Sequence, residues 1–365
     1  MPSARLVLAD GSVFEGRSVG APGRADGEVV FNTSMTGYQE MLTDPSYAGQ
    51  LLVLTYPMIG NYGVDAAVEE SDRIQPRGLI VREVAPYASH LRSAGDLGGF
   101  LAERGIVAID GVDTRAITRR IRREGVMLGT ITTEEDGDEA LQRVRALPSY
   151  DNVDWAAQVT TAAPYEWAHE AAATPKFRVA LIDGGVKRNI MRSLAVRGCA
   201  ISVLPVDVAA AAVLALRPDG VVWSPGPGDP QVQTQQVAEA RQLIGAVPLF
   251  GICLGHQVIA RALGAGTFKL PFGHRGGNHP VRDERSGAVT ITAQNHGYAV
   301  APEGLTESAE VSHVNLNDGT VEGIVMRDEP VMAIQYHSEA SPGPLDSMGM
   351  FDRFVEMMSN VSSGR

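Results

Sequence analysis

The sequence predicts an α/β protein of two domains: an N-terminal mixed α+β domain, then a doubly wound, mostly parallel sheet. Three observations carry this expectation. The chain of 365 residues is longer than a single hydrophobic core usually grows. Its first third reads as short strands joined by glycine-rich turns. After Lys176 strands alternate with helices, the pattern of a parallel sheet with crossover connections.

The elements follow in order. RLVLADGSVFEGRSVG alternates apolar and polar residues around an Asp-Gly turn and predicts a hairpin. GEVVFNTSMTG, QLLVLTYP and GLIVREV continue as strands. From residue 96, DLGGFLAERGIVAIDGVDTRAITRRIRREG reads as helix, short strand and basic helix. LGTIT is a strand, and EEDGDEALQRVRAL a helix whose acidic first turn suits the helix dipole. These elements place a first domain over residues 1–150. Residues 151–175 show no sustained period and read as a connector tethered by its Trp and Tyr side chains. In the second domain, 176–365, the strands KFRVALIDGG, CAISVLPV, DGVVWSPGPG and VPLFGICLG come in succession, with the helix VKRNIMRSLAVRG after the first. AVTITAQNHGYAV and EGIVMRDEPVMAIQYHSEA read as hairpin strands, and LDSMGMFDRFVEMMSN as a closing helix. Ligands of parallel sheets bind at the carboxyl ends of the strands, where the notable turns of this domain sit.

Composition excludes several classes. A formal net charge of −12 argues against a nucleic-acid-binding surface, which should be basic. Two cysteines, neither in a CxxC pair, supply no secreted disulfide framework and no structural zinc motif. The N-terminus lacks a signal-peptide pattern, and no apolar run reaches the ~18 residues of a membrane span. A cytoplasmic protein without membrane association is expected.

Gly251-Ile252-Cys253-Leu254-Gly255 has the G-x-nucleophile-x-G form of a nucleophile elbow. A strand that ends abruptly in a helix pushes one side chain outward on a strained turn. Small neighbours are needed because the flanking backbone crowds that turn. The helix that follows directs its positive end at the sulfur, which favours a thiolate, and its first amides can stabilise an oxyanion. The commoner fate of a lone cysteine between glycines is to pack a strand–helix junction. Cys199, at the start of an apolar strand, reads as core.

A nucleophilic cysteine needs a base. His256 follows along the same helix and should point away from the thiol. His274, His279 and His296 sit in glycine-rich loops without metal-ligand spacing. His337 lies at the end of the strand VMAIQY, and Glu339 two residues on falls on the same side of an extended segment. Cys253, His337 and Glu339 can thus form a nucleophile, a base and its orienting carboxylate.

GICLGHQ, QYHSEA, the PGPGDP turn and the QNHG loop together resemble the class I, triad-type glutamine amidotransferases over roughly residues 176–360. FNTSMTGYQEMLTDPSYAGQ, LTYPMIGNYGV, GVDTRAITRRIRREG and DGGVKRNIMRSL resemble the small chains of carbamoyl-phosphate synthases. The resemblance implies that Cys253 attacks the side-chain amide of glutamine, forms a γ-glutamyl thioester and releases ammonia. His337 then activates water, oriented by Glu339. The ammonia would pass to a large subunit that makes carbamoyl phosphate from bicarbonate and two ATP, for arginine and pyrimidine synthesis. The resemblance further assigns Gly226 and Gly228 of SPGPGDP and the Leu254 amide to the oxyanion, and Gln257 to the substrate. Asn295, Gly297 and Tyr298 would hold its α-amino and α-carboxylate groups, and Ser46 of TDPSY would reach it from the first domain. It implies no cofactor or metal in this chain, with ATP and metal ions on the large subunit, and a heterodimer or a higher oligomer of heterodimers. Each assigned residue also has a structural reading: PGPGDP is a turn by composition, and Ser46 can cap one.

Two departures stand out. WSPGPG replaces the commoner Ser-Asn-Gly form, and Ser338 stands where many relatives have proline, which gives up a fixed φ between His337 and Glu339. Two rival readings stay open at this level: a glutaminase serving another synthase, such as those for anthranilate or GMP, and a catalytically idle regulatory subunit.

Overall fold

The computed structural model describes residues 2–168 and 174–363. The chain divides into two compact units, Met1–Val153 and Asp154–Arg365. Of the stretch expected as a connector, 151–153 fall in the first unit and the rest in the second; its residues 169–173 lie outside the described residues.

In the first unit the strands are β1 (Ser3–Leu8), β2 (Val13–Gly20), β3 (Arg24–Asn32), β4 (Gln50–Leu54), β5 (Gly78–Ile80), β6 (Val107–Asp110) and β7 (Met127–Thr132). They close into a barrel in the order β1-β2-β6-β5-β4-β3-β7. The β1–β2 hairpin sets Leu6 opposite Phe14 and Val7 opposite Val13. Asp10 shapes its turn by accepting from Ser12 N at 2.8 Å. β3, β4, β5 and β6 run parallel to one another, so helices and loops must cross between them. β4 is buried along its whole length, as parallel strands covered on both faces are. β7 closes the barrel by pairing antiparallel with both β1 and β3. Val30, Leu52, Leu54 and Leu79 pack against Tyr38, Met41 and Phe100 of the neighbouring helices.

The basic helix Thr114–Glu124 starts at Asp113, whose carboxylate accepts from Ala116 N at 2.9 Å. Ile117 and Ile121, four apart, point inward, while Arg115, Arg119, Arg122 and Arg123 are exposed.

The second unit holds β8 (Tyr165–Glu166), β9 (Phe177–Asp183), β10 (Cys199–Pro205), β11 (Gly220–Trp223), β12 (Leu249–Ile252), β13 (Gly266–Asp283), β14 (Val289–Ala301), β15 (Ala309–Asn315), β16 (Val321–Met326) and β17 (Val331–Ile334). They form one sheet in the order β14-β13-β15-β16-β17-β12-β11-β9-β10-β8. β10, β9, β11, β12 and β17 are mutually parallel and make its centre. The hairpin strands β13 to β16 extend it antiparallel on one side, and the short β8 caps the other.

Two apolar clusters lie on the two faces of this sheet. One packs Val237, Leu243, Val258 and Ile259 of the helices Thr234–Leu243 and Leu254–Ala262 against the sheet. The other packs Ile190 and Leu194 of the helix Arg188–Ala195, and Phe351, Phe354 and Met358 of the closing helix Gly349–Ser363. Cys199 belongs to this second cluster, and burial pushes its thiol up to about 12, which leaves it protonated. Phe250 on β12 meets Phe351 edge-on at 5.9 Å and Phe354 at 5.5 Å between centroids. Phe354 also fills the space beside Gly220, where an added Cβ would come within 2.7 Å of its ring.

Phe354→Ala is therefore expected to cost the second unit about 3–5 kcal/mol. A lower denaturant midpoint, followed by the fluorescence of the buried Trp223, checks this; an unchanged midpoint contradicts the packing described.

Candidate active site

β12 ends at Ile252 and the next helix begins at Leu254, so Cys253 alone makes the turn. It does so at φ 53° and ψ −104°, a conformation costly for any residue with a Cβ. Two contacts hold it there. Cys253 N donates to Ile334 O of β17 at 2.8 Å, and Gly255 N donates to Ser224 O at 3.1 Å. The helix start is pressed so tightly onto β11 that a Cβ on Gly255 would stand 2.2 Å from Trp223 O. With Gly255 N engaged, the Leu254 N–H is the helix's leading amide beside the sulfur, and first-turn amides have no intrahelical acceptor.

β17 leads directly into the partner residues. His337 N donates to Ala293 O of β14 at 2.9 Å, which fixes the end of this segment against the hairpin. His337 Nδ1 donates to Glu339 Oε1 at 2.6 Å, and both side chains are buried. The Nε2 atom is thereby directed away from the carboxylate and stands next to Cys253. The thiol is near enough to act on the imidazole, yet no completed hydrogen bond among the described residues reaches Nε2. Such contacts in ligand-free sites tighten when substrate arrives. The sulfur itself lies 3.8 Å from Asn295 O.

Burial opposes a charged imidazole, but the Glu339 carboxylate and Cys253 outweigh it, and the His337 pKa stands well above the ordinary value. Burial likewise opposes a charged Glu339, but Lys187 first and His337 second hold its pKa below the carboxylate range. Lys187 was not among the residues singled out from the sequence. Its Nζ donates to Glu339 Oε1 at 2.9 Å, with a side chain only 3 % exposed. It also donates to Ala340 O, and Asn189 Nδ2 donates to Glu339 O. Ala340 and Ser341 follow at φ 55° and 53°. These bonds pin the strained segment from the side, which offsets the freedom that Ser338 has in place of proline. The local signal for Lys187 and Asn189 was their place just past the glycine turn that ends β9.

The remaining assigned residues divide by location. Gly226 approaches Gly184 O so closely that a Cβ would come within 2.2 Å, and Gly228 has φ 97°. Gln257 Nε2 donates to Tyr298 O at 2.8 Å and to Gln335 Oε1 at 3.0 Å, so it ties the elbow helix to β14 and to the residue after β17. Asn295, Gly297 and Tyr298 lie on β14, and of these Asn295 brings its backbone oxygen to the sulfur. Ser46 belongs to the first unit, on the turn Pro45–Tyr47 capped by Asp44. Its Oγ is buried and makes no hydrogen bond among the described residues.

The other histidines have different roles. Burial pushes His256 down to about 3, which leaves it neutral and structural. His274, His296 and Glu322 bring potential ligand atoms within 4.8 Å of one another. Most of those atoms are already engaged, while His274 Nδ1 lies 3.7 Å from Glu322 Oε1 without a hydrogen bond among the described residues. His296 bonds Tyr298 O at 2.7 Å and the Gln294 side chain at 2.9 Å. Glu322 accepts from Gln294 at 2.9 Å and Asn315 at 2.8 Å, and His274 Nε2 meets Asp318 at 2.7 Å. The cluster is a hydrogen-bond network that stiffens β14 from behind. Among the described residues no helix is long and apolar enough to cross a membrane.

Residues 6–131 match the family model of the carbamoyl-phosphate synthase small chain, CPSase domain, and residues 180–357 that of class-I glutamine amidotransferases. The chain is 48% identical to a carbamoyl phosphate synthase small chain of Polynucleobacter asymbioticus, over 98% of this chain and 96% of the relative. It is 50% identical to that of Thermosynechococcus vestitus, over 98% and 97%. A chloroplastic small chain of Oryza sativa subsp. japonica is 48% identical, over 99% of this chain and 83% of the relative.

The buried ion pair has a pH signature. The ordinary Glu value is 4.5 and Glu339 lies below it, so its contribution to stability is present above about pH 4.5 and is lost as the pH falls toward its folded value. The ordinary His value is 6.5 and His337 lies above it, so its contribution is present below about pH 6.5 and fades as the pH rises toward the raised value. The difference in melting temperature between wild type and Glu339→Gln is expected to be widest between those two pH values and to narrow on either side. A difference that does not vary with pH contradicts the ion pair.

Proposed function

The chain belongs to the carbamoyl-phosphate synthase small-chain family, and from that premise we propose how its residues divide the work of cleaving glutamine. It is a glutamine-hydrolysing enzyme subunit with a class-I glutamine amidotransferase domain. Cys253 is the nucleophile. Its sulfur attacks the side-chain amide carbon of glutamine with the thiol proton already held on His337, whose raised pKa favours the charged form. The tetrahedral oxyanion is met by the Leu254 amide and the backbone around Gly226 and Gly228. His337 returns the proton to the leaving nitrogen, ammonia departs and a γ-glutamyl thioester remains. Water then adds to the thioester, His337 accepts its proton, and glutamate leaves as the thiol reforms.

One observation supports this assignment above the others. A cysteine forced to φ 53° stands beside an imidazole whose far nitrogen donates to a buried carboxylate at 2.6 Å. Packing a strand–helix junction requires none of this. Glu339 keeps the imidazole oriented and balances the charge it gains, and Lys187 keeps Glu339 ionised. Gln257, Asn295, Gly297 and Tyr298 bind glutamine. Residues that only bind affect KM more than kcat.

Ammonia released here is delivered to a large subunit, which uses bicarbonate and ATP to form carbamoyl phosphate for arginine and pyrimidine synthesis in the cytoplasm. This chain carries no cofactor; ATP and metal ions belong to the large subunit. The first unit docks that partner, with the exposed arginines of the helix Thr114–Glu124 facing an acidic surface.

Two tests follow. Cys253→Ala is expected to abolish glutamine-dependent carbamoyl phosphate formation in the complex while ammonia-dependent formation persists; unchanged glutamine use sinks the assignment. Arg115→Glu combined with Arg119→Glu is expected to weaken association with the large subunit by roughly tenfold or more at low salt, mainly through the on-rate. Equal binding by wild type and variant in a surface-immobilised assay refutes that docking face.

A further inference from the structure

Gln257 sits in the first turn of the helix Leu254–Ala262, where its backbone N–H donates to Cys253 O at 3.1 Å. Its side chain meets the backbone oxygen Tyr298 O at 2.8 Å. A carbonyl oxygen only accepts, so the side-chain atom facing it is the Nε2 donor. The same Nε2 meets the side chain of Gln335 at 3.0 Å, and the atom it meets there is the acceptor, Oε1. An amide nitrogen carries two hydrogens, and these two bonds engage both. Gln257 Oε1 takes no hydrogen bond among the described residues. It is the atom of this amide left to meet a ligand.

Two further observations concern Gln335. It is fully buried, and its own Nε2 makes no hydrogen bond among the described residues. A buried donor without a partner is costly, so packing alone does not account for a glutamine here. Its backbone is also fixed. Gln335 N donates to Glu322 O at 2.9 Å, and the preceding residue, Ile334, accepts the Cys253 amide at 2.8 Å. The strand end that holds the nucleophile's backbone therefore also carries the side chain that holds Gln257.

We propose that Gln335 is a positioning residue for the substrate: it locks the Gln257 amide so that its carbonyl oxygen, and not its NH2 group, faces glutamine. This rests on the binding of glutamine by Gln257 argued above. Tyr298 O holds one hydrogen of the amide and by itself leaves the group free to swing about that bond. Gln335 Oε1 takes the second hydrogen and fixes the plane. The group of glutamine that Gln257 meets is then an N–H donor, since a carbonyl oxygen only accepts. Gln335 does not touch the substrate; it acts through Gln257.

The test is a double-substitution cycle on the complex with the large subunit, read as KM and kcat for glutamine. Gln335→Met keeps the length of the side chain and removes the acceptor. It is expected to raise KM roughly 5- to 20-fold, to change kcat by less than about twofold, and to leave ammonia-dependent carbamoyl phosphate formation intact. In a Gln257→Met background the same substitution is expected to raise KM no further. A merely structural role would add its full effect in both backgrounds. That additivity, or a fall in kcat with KM unchanged, overturns the inference. Gln335→Leu runs through the same cycle if the Met variant folds poorly. If Gln257→Met alone leaves KM unchanged, the assignment of Gln257 to glutamine fails, and the inference with it. If Gln257→Met raises KM and the Gln335 variants do not, only the role of Gln335 fails.

Discussion

The backbone of Cys253 is the constraint on which the second unit's chemistry depends. A left-handed φ on a residue with a Cβ persists only when its surroundings over-determine it. Here the surroundings are the parallel sheet itself. β17 accepts the Cys253 amide, β11 and Ser224 hold the start of the helix, and Gly255 lets that helix sit against Trp223 without a gap. The same sheet order brings β17 beside β12, so the segment that leaves β17 carries His337 to the sulfur. The strain at one residue and the approach of its base thus have a single origin.

Charge in this site is balanced by a short chain of buried groups. Lys187, Glu339 and His337 follow one another, with bonds of 2.9 and 2.6 Å, and all three are nearly sealed from solvent. In such a setting an isolated charge is costly, but alternating charges support one another. Lys187 answers for Glu339, and Glu339 answers for a proton on His337. The network behind β14 has a similar balance. There Glu322 and Asp318 outweigh the burial of His274 and raise its pKa.

Much of this was legible in the sequence. The elbow could be read because an apolar strand, a small–x–Cys–x–small turn and an amphipathic helix are contiguous. His337 and Glu339 could be read because two-residue periodicity fixes their common side. The alternation of strands and helices after Lys176 gave the parallel centre of the sheet. Barrel closure in the first unit was not legible, since it depends on β7 finding both β1 and β3, pairings set by packing across more than a hundred residues. Lys187 was missed for the same reason: its partner Glu339 lies 152 residues away.

The central claim is that Cys253 forms a covalent bond to the γ-carbonyl of glutamine. It is tested most directly by mixing the complex with glutamine labelled in its carbon chain, quenching in acid within the turnover time, and locating the label by peptide mapping. The account predicts label on the peptide that contains Cys253, released by hydroxylamine as expected for a thioester and absent from Cys253→Ser. Sustained glutamine cleavage with no label on that peptide at any quench time would contradict it.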